Sequence, residues 1–298
     1  METAKAESAG YLDLKALQAL GSLRVAVEKV VEGTHVGMHR SPLHGFSTEF
    51  AYHRLYAPGD DLRRMDWKVY ARTERHYTKV YEAETNFDAY MLIDASGSMG
   101  YGADGATKLE YAKYLAACLA YLIVKQNDSA GLAVFDSRLR QYVAPSSTMR
   151  VLHSMERLLG AVSAESKTDM MAVIDSFAVQ LRRRSVVMLF SDLFDQIESV
   201  VKGVQRLTLS GHSVWVVQIL DRDELTFPFR GGFKFRGVES DGELIANAQA
   251  VRPTYMRRLD QFLNAARTGC REASARYLLV DTSTPLVASV RRCLRGVA

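Results

Sequence analysis

Ala89-Tyr90-Met91-Leu92-Ile93-Asp94-Ala95-Ser96-Gly97-Ser98 is the stretch from which the rest of this chain can be read. Its first five residues are apolar without alternation, the pattern of a strand covered on both faces, and such strands belong to parallel sheets. An Asp-x-Ser-x-Ser sequence follows at once, so it stands at the strand's carboxyl end. In open α/β sheets that is where ligands bind.

Four more runs of the same kind occur: Ala130 to Phe135, Val186 to Phe190, Val214 to Leu220 and Tyr277 to Val280. Between them the apolar spacing becomes helical. Leu109, Ala112, Leu115, Ala116, Leu119, Leu122 and Ile123 make one stripe, Met170, Ile174, Phe177 and Leu181 a second, and Ile197, Val200, Val201, Val204 and Leu207 a third. Alternating buried strands and amphipathic helices predict an α/β fold with a doubly wound, mainly parallel sheet. Residues 87–298 are assigned to this domain, with a hairpin insertion near 225–249, where Phe227, Phe229, Phe233 and Phe235 alternate around Gly231-Gly232. Residues 1–86, helical at first (Leu12, Leu14, Leu17, Leu20, then Leu23, Val27 and Val30) and then broken by glycine and proline, read as an N-terminal α+β appendage.

One carboxylate and two hydroxyls on a short loop suit a hard cation such as Mg²⁺, with Mn²⁺ as an alternative, because these ions take oxygen donors and few carboxylates. The motif alone arises by chance roughly once in ten chains of this length. Two further oxygen donors stand at matching places. Asp192 follows the run that ends at Phe190 and Ser191, and Thr168 opens the helix bearing Met170 and Ile174. The competing reading makes Asp94 and Asp192 turn residues and Thr168 a helix cap.

These residues resemble von Willebrand factor type A domains, whose metal-ion-dependent adhesion site combines D-x-S-x-S with a later Thr and a later Asp. The matching positions are Asp94, Ser96, Ser98, Thr168 and Asp192. The resemblance implies Mg²⁺ as a bridge whose open position takes a partner's acidic side chain. Arg54-Leu55-Tyr56, Pro58-Gly59-Asp60-Asp61, Arg63, Asp66-Trp67, Ala71-Arg72 and Tyr81-Glu82 further resemble the bacterial family called domain of unknown function 58. That resemblance implies a MoxR-type AAA+ ATPase as partner, in chaperone-like or complex-assembly work. By residue chemistry alone, Asp60, Asp61, Asp66, Arg63, Arg64 and Arg72 either pair to dock the appendage on the α/β core or form structural ion pairs around Trp67. The match departs from the adhesion pattern in two places: Glu165-Ser166-Lys167 precedes Thr168 where glycines are usual, and Leu193 stands where many such domains have glycine.

Composition narrows the function further. The 298 residues carry 48% hydrophobic and 24% charged content and a net charge of +4, an ordinary globular balance. The excess is local, since residues 252–298 hold nine arginines, no lysine and three acids. Cys118, Cys270 and Cys293 form no C-x-x-C pair, which argues against a disulfide framework or a zinc site. The first residues lack the apolar core of a signal peptide, and the most apolar stretch, Tyr114 to Val124, is shorter than the roughly 20 residues a bilayer requires. A cytoplasmic protein without a membrane span is expected.

Competing chemistries lack parts. A serine hydrolase using Ser98 in Ser96-Gly97-Ser98-Met99-Gly100 needs a late histidine, and the last one is His212. Gly100 and Gly105 have phosphate-loop spacing, but Ala106-Thr107 follows where Lys-Ser/Thr is required, and Lys108 comes too late. His35, His39 and His44 are irregularly spaced. A nucleic-acid surface made by the Phe-rich hairpin and the basic tail is the remaining alternative. The expectation is a non-enzymatic, metal-dependent protein–protein interaction module.

Overall fold

A computed structural model describes residues 23–34, 49–57, 65–82, 87–102, 106–165, 169–181, 184–194, 197–236 and 243–295. In chain order the elements are α1 (Leu23–Thr34), β1 (Glu49–Leu55), α2 (Trp67–Thr73), β2 (Tyr77–Glu82), β3 (Asp88–Asp94), a single 3-10 turn (Gly97–Gly100), α3 (Lys108–Lys125), β4 (Ser129–Phe135), β5 (Leu139–Ser146), α4 (Arg150–Ala161), α5 (Met170–Ala178), β6 (Ser185–Ser191), α6 (Ile197–Leu209), β7 (Ser213–Leu220), α7 (Arg222–Thr226), β8 (Gly232–Arg236), β9 (Glu243–Asn247), α8 (Ala248–Glu272), β10 (Arg276–Asp281) and α9 (Leu286–Arg295). The chain divides into two units, the smaller formed by residues 43–87.

In the larger unit the sheet order is β10-β7-β6-β3-β4-β5, parallel throughout except for β5, which runs antiparallel to β4 at one edge. Every residue of β3 and of β6 is buried. Helices on both faces produce this. Tyr90 and Leu92 join Phe177 of α5, Val204 of α6 and Ala266 of α8 in one core, where each large apolar side chain contributes on the order of 1.5–3 kcal/mol by leaving water. α3 covers the other face, flanked by α1 and α9, and is therefore buried nearly all round. Thr107 starts it, its hydroxyl accepting the Glu110 amide at 3.1 Å. The chain leaves β3 toward β4 and β5, then returns to β6 on the opposite side of β3, so the topological switch point lies between β3 and β6.

Helix α1 belongs to this larger unit and not to the appendage assigned to residues 1–86. Ala26, Val27, Val30 and Val31 are buried, and α1 packs against α3 and α9. An amphipathic helix needs a partner for its stripe, and the outward face of α3 supplies one.

The hairpin also differs from its expected form. Gly231-Gly232 is not its turn: β8 begins at Gly232 and pairs antiparallel with β9. Phe227 ends α7 in a left-handed conformation and packs against Tyr255 with the rings tilted by 36° and their centroids 4.7 Å apart, so it is not a strand residue. Gly231, with φ +93, makes the bend into β8 that a side chain would resist.

In the smaller unit β1 and β2 pair antiparallel. Asp66 caps α2 by accepting the Lys68 and Val69 amides at 3.0 and 3.2 Å, and its other oxygen meets His53 Nε2 at 3.0 Å. Trp67, the first residue of α2, is 59% exposed. Asp60, Asp61, Arg63 and Arg64 lie outside the described residues, as do His35, His39 and His44.

The three cysteines are free and buried. Among the described residues no helix is long and apolar enough to cross a membrane.

Candidate functional site

Asp94, the last residue of β3, and Asp192, the first after β6, are each about 1% exposed at the switch point. Both make the turn contacts that the capping alternative anticipates: Asp94 Oδ1 accepts the Ser96 amide at 2.9 Å, and Asp192 Oδ1 accepts the Phe194 amide at 3.1 Å. Each has a second oxygen turned elsewhere. Asp94 Oδ2 accepts the Ser191 hydroxyl at 2.6 Å, which bridges β6 to β3. Asp192 Oδ2 accepts from Lys108 Nζ at 2.8 Å.

Beyond Asp94 the chain enters the 3-10 turn, and Ser96 Oγ lies 3.1 Å from Ser98 Oγ. The two hydroxyls share a hydrogen bond at this distance, and because adjacent ligands of an octahedral ion at about 2.1 Å stand about 3.0 Å apart, the same spacing also fits an edge of a Mg²⁺ shell. Ser96 is buried while Ser98 is half-buried, so the pair is reached from one side. Thr168 lies outside the described residues, and the capping of α5 falls to Asp169, which accepts the Ala172 amide at 3.1 Å.

Electrostatics here are dominated by burial. Burial and the nearby Asp192 carboxylate push Asp94 up to about 7, against hydrogen bonds from Ser191 and Ser96 that favour its ionised form. Lys108 is fully buried at the first turn of α3 and also meets Glu224 Oε1 at 2.7 Å. Burial pulls the lysine down, but Asp192 and Glu224 outweigh it and its ammonium is held above the usual range. Burial raises Glu224, and Lys108 opposes the rise. Glu224 is itself fixed by α7, where its other oxygen accepts the Asp221 amide at 2.7 Å in a capping box. Phe194 lies over the ammonium, 4.7 Å from ring centroid to Nζ, and is 44% exposed at the rim.

Asp94, Asp192 and Glu224 outnumber the one ammonium of Lys108, which meets Asp192 and Glu224, so the cluster has negative charge to spare once Asp94 is ionised. Among the described residues no group of three His, Cys, Asp or Glu side chains has the arrangement of a metal centre. The donor set is instead two hydroxyls beside two buried carboxylates, which fits a hard ion that keeps several waters. Bound there, such an ion would supply positive charge and an open position for an anionic group.

Sequence reasoning passed over Ser191, Lys108, Glu224 and Gln218. Gln218 of β7 donates to the Asp192 carbonyl at 2.9 Å and accepts the Tyr277 hydroxyl at 2.6 Å, tying the loop to β10. Lys108 had a legible signal: a cation at the amino end of a helix opposes the helix dipole and calls for an anion nearby. The hydrolase alternative is not assembled. His212 Nδ1 meets the Ser185 amide at the start of β6, and Ser98 lies beyond the far end of the sheet, about 20 Å away at strand rise.

A family model described as "Protein of unknown function DUF58" matches residues 52–262. The chain belongs to the DUF58 family. An uncharacterized protein of Mycobacterium tuberculosis is 26% identical to this DUF58 chain over 231 residues, 76% of this chain and 72% of that protein. Among solved structures, BatB from Bacteroides thetaiotaomicron is 14% identical with a TM-score of 0.48, covering 70% of this chain and 96% of that one. The Rpn10 VWA domain is 14% identical with a TM-score of 0.43, covering 71% of this chain and 99% of that one. The von Willebrand A-like, doubly wound fold of the DUF58 chain rests on its own strand order and antiparallel edge strand.

Proposed function

We propose that this DUF58 protein is a non-enzymatic protein-interaction module whose recognition depends on a divalent cation, Mg²⁺ first and Mn²⁺ as a substitute, held at the switch point. Ser96 and Ser98 supply hydroxyl oxygens, Asp94 and Asp192 the negative field, and Thr168 a fifth donor. The 3.1 Å spacing of the two serine hydroxyls beside two buried carboxylates carries this reading. The half-buried side of the site is left for an acidic side chain of a protein partner. Family resemblance makes a MoxR-type AAA+ ATPase the partner to test, and ATP use belongs to it, because residues 100–108 lack the phosphate-loop lysine.

The test is thermal unfolding after chelation, with Mg²⁺ or Mn²⁺ added back, for wild type, Asp94→Ala and Asp192→Ala. An ion at 100 times its dissociation constant stabilises the folded state by about 2.7 kcal/mol. The wild type is expected to shift upward and both folded variants to stay still. Equal response in all three would remove the site from these residues, and capture of the ATPase unaffected by chelator would remove the metal from recognition.

A further inference from the structure

The opposite edge of the sheet from β5 ends in β10, whose only strand neighbour among the described residues is β7. A groove of about 550 Å³ runs there, with β10 in its lining and residues of α8 and α9 beside it. Four of the lining residues are arginines: Arg267 and Arg271 from α8, Arg276 from β10 and Arg292 from α9. No acidic residue lines it, and none of the four makes an ion pair with a described residue. The cations flank the strand on both faces. Arg276 is in register with Trp215 and lies over its ring at 4.6 Å on one face, while Tyr277 packs against the α5–α6–α8 core on the other. Trp215 is only 6% exposed, and its indole N–H is buried with no acceptor.

We infer that β10 and its arginine-lined groove bind an extended acidic segment of another protein, which adds as a seventh strand to the sheet edge. Main-chain groups of β10 supply the pairing, and acidic side chains on both faces of the added strand meet the arginines. Charged residues on an edge strand often serve to prevent pairing, but only Arg276 of the four stands on β10, and the others project from the flanking helices. Single-stranded nucleic acid, the other polyanion, needs open aromatic faces for its bases. Here Arg276 covers the Trp215 ring and the Tyr277 hydroxyl is held by Gln218.

The test is anisotropy of a short fluorescein-labelled peptide of glutamate and valine with the full chain, in chelator so that the result is independent of the metal site. A Trp67→Phe background leaves Trp215 as the sole tryptophan reporter, since the chain has two. Saturable binding is expected, with a Trp215 emission change and a loss of at least about tenfold in affinity on Arg267→Glu/Arg271→Glu, which changes exposed residues. The same peptide N-methylated at alternate residues should not bind. Absence of binding by the glutamate–valine peptide, equal binding of its N-methylated form, or tighter binding of a single-stranded oligonucleotide would each overturn the inference.

Discussion

Lys108 Nζ reaches Asp192 Oδ2 at 2.8 Å although 84 residues separate them in sequence, and neither side chain is more than 1% exposed. The pair joins the amino end of α3 to the loop after β6, and Glu224 extends it to α7. Removing one partner of such a pair leaves an uncompensated buried charge, at a cost of about 3–5 kcal/mol. Lys108→Met is therefore expected to lower the unfolding free energy by that amount in chelator, read as a fall in the urea midpoint at unchanged slope. A loss under about 1 kcal/mol would mean that the ion pair does not anchor the site.

How much of this was legible follows from where the information resides. Four of the five apolar runs became β3, β4, β6 and β7 because a strand buried on both faces needs no alternation, and the fifth became β10, a half-buried strand at the sheet edge. β5 was missed for the opposite reason: Leu139–Ser146 is a half-exposed edge strand that includes Pro145, and it has no continuous apolar run. Asp94, Ser96 and Ser98 lie together because they are neighbours in the chain, and Asp192 joins them because β6 lies beside β3. Lys108 and Glu224 were not found as partners, since nothing in local sequence says that residues 116 positions apart will meet. A helix-opening lysine shows only that an anion is needed.

Asp94 sets a pH dependence in the metal-free protein. Its folded value of about 7 lies above the ordinary 3.8, so the folded state binds this proton more tightly than the unfolded chain. The stabilisation is complete below the unfolded value and is lost as pH rises through the folded one. In chelator, the wild type should lose stability between about pH 4 and pH 7 relative to Asp94→Asn, which lacks the titrating group. Parallel pH profiles from chemical denaturation would contradict this.

The seam between α6 and α8 depends on a missing side chain. A Cβ on Gly269 would stand 2.3 Å from Val201 Cγ2, and the branched Val201 has few rotamers with which to withdraw. Gly269→Ala is expected to cost about 1–3 kcal/mol by overpacking. Adding Val201→Ala should recover part of that loss. A double-mutant cycle in denaturant measures the coupling, and simple additivity would place the effect elsewhere.

Leu193 occupies the left-handed region, φ 61, directly after Asp192, yet its side chain is fully buried in the core. The backbone there favours glycine by about 1–2 kcal/mol. Truncating a buried leucine to alanine costs about 2.7–5 kcal/mol, with a cavity left behind. The second effect is larger, so Leu193→Gly should destabilise the protein by about 2 kcal/mol despite relieving the backbone. The Leu193 amide donates to Ser191 Oγ at 2.9 Å, and that hydroxyl holds Asp94, so the same change should loosen the carboxylate. Weaker Mg²⁺ stabilisation in Leu193→Gly than in wild type, read from the midpoint shift, is the expected result. An unchanged shift would show that the leucine acts through the core alone.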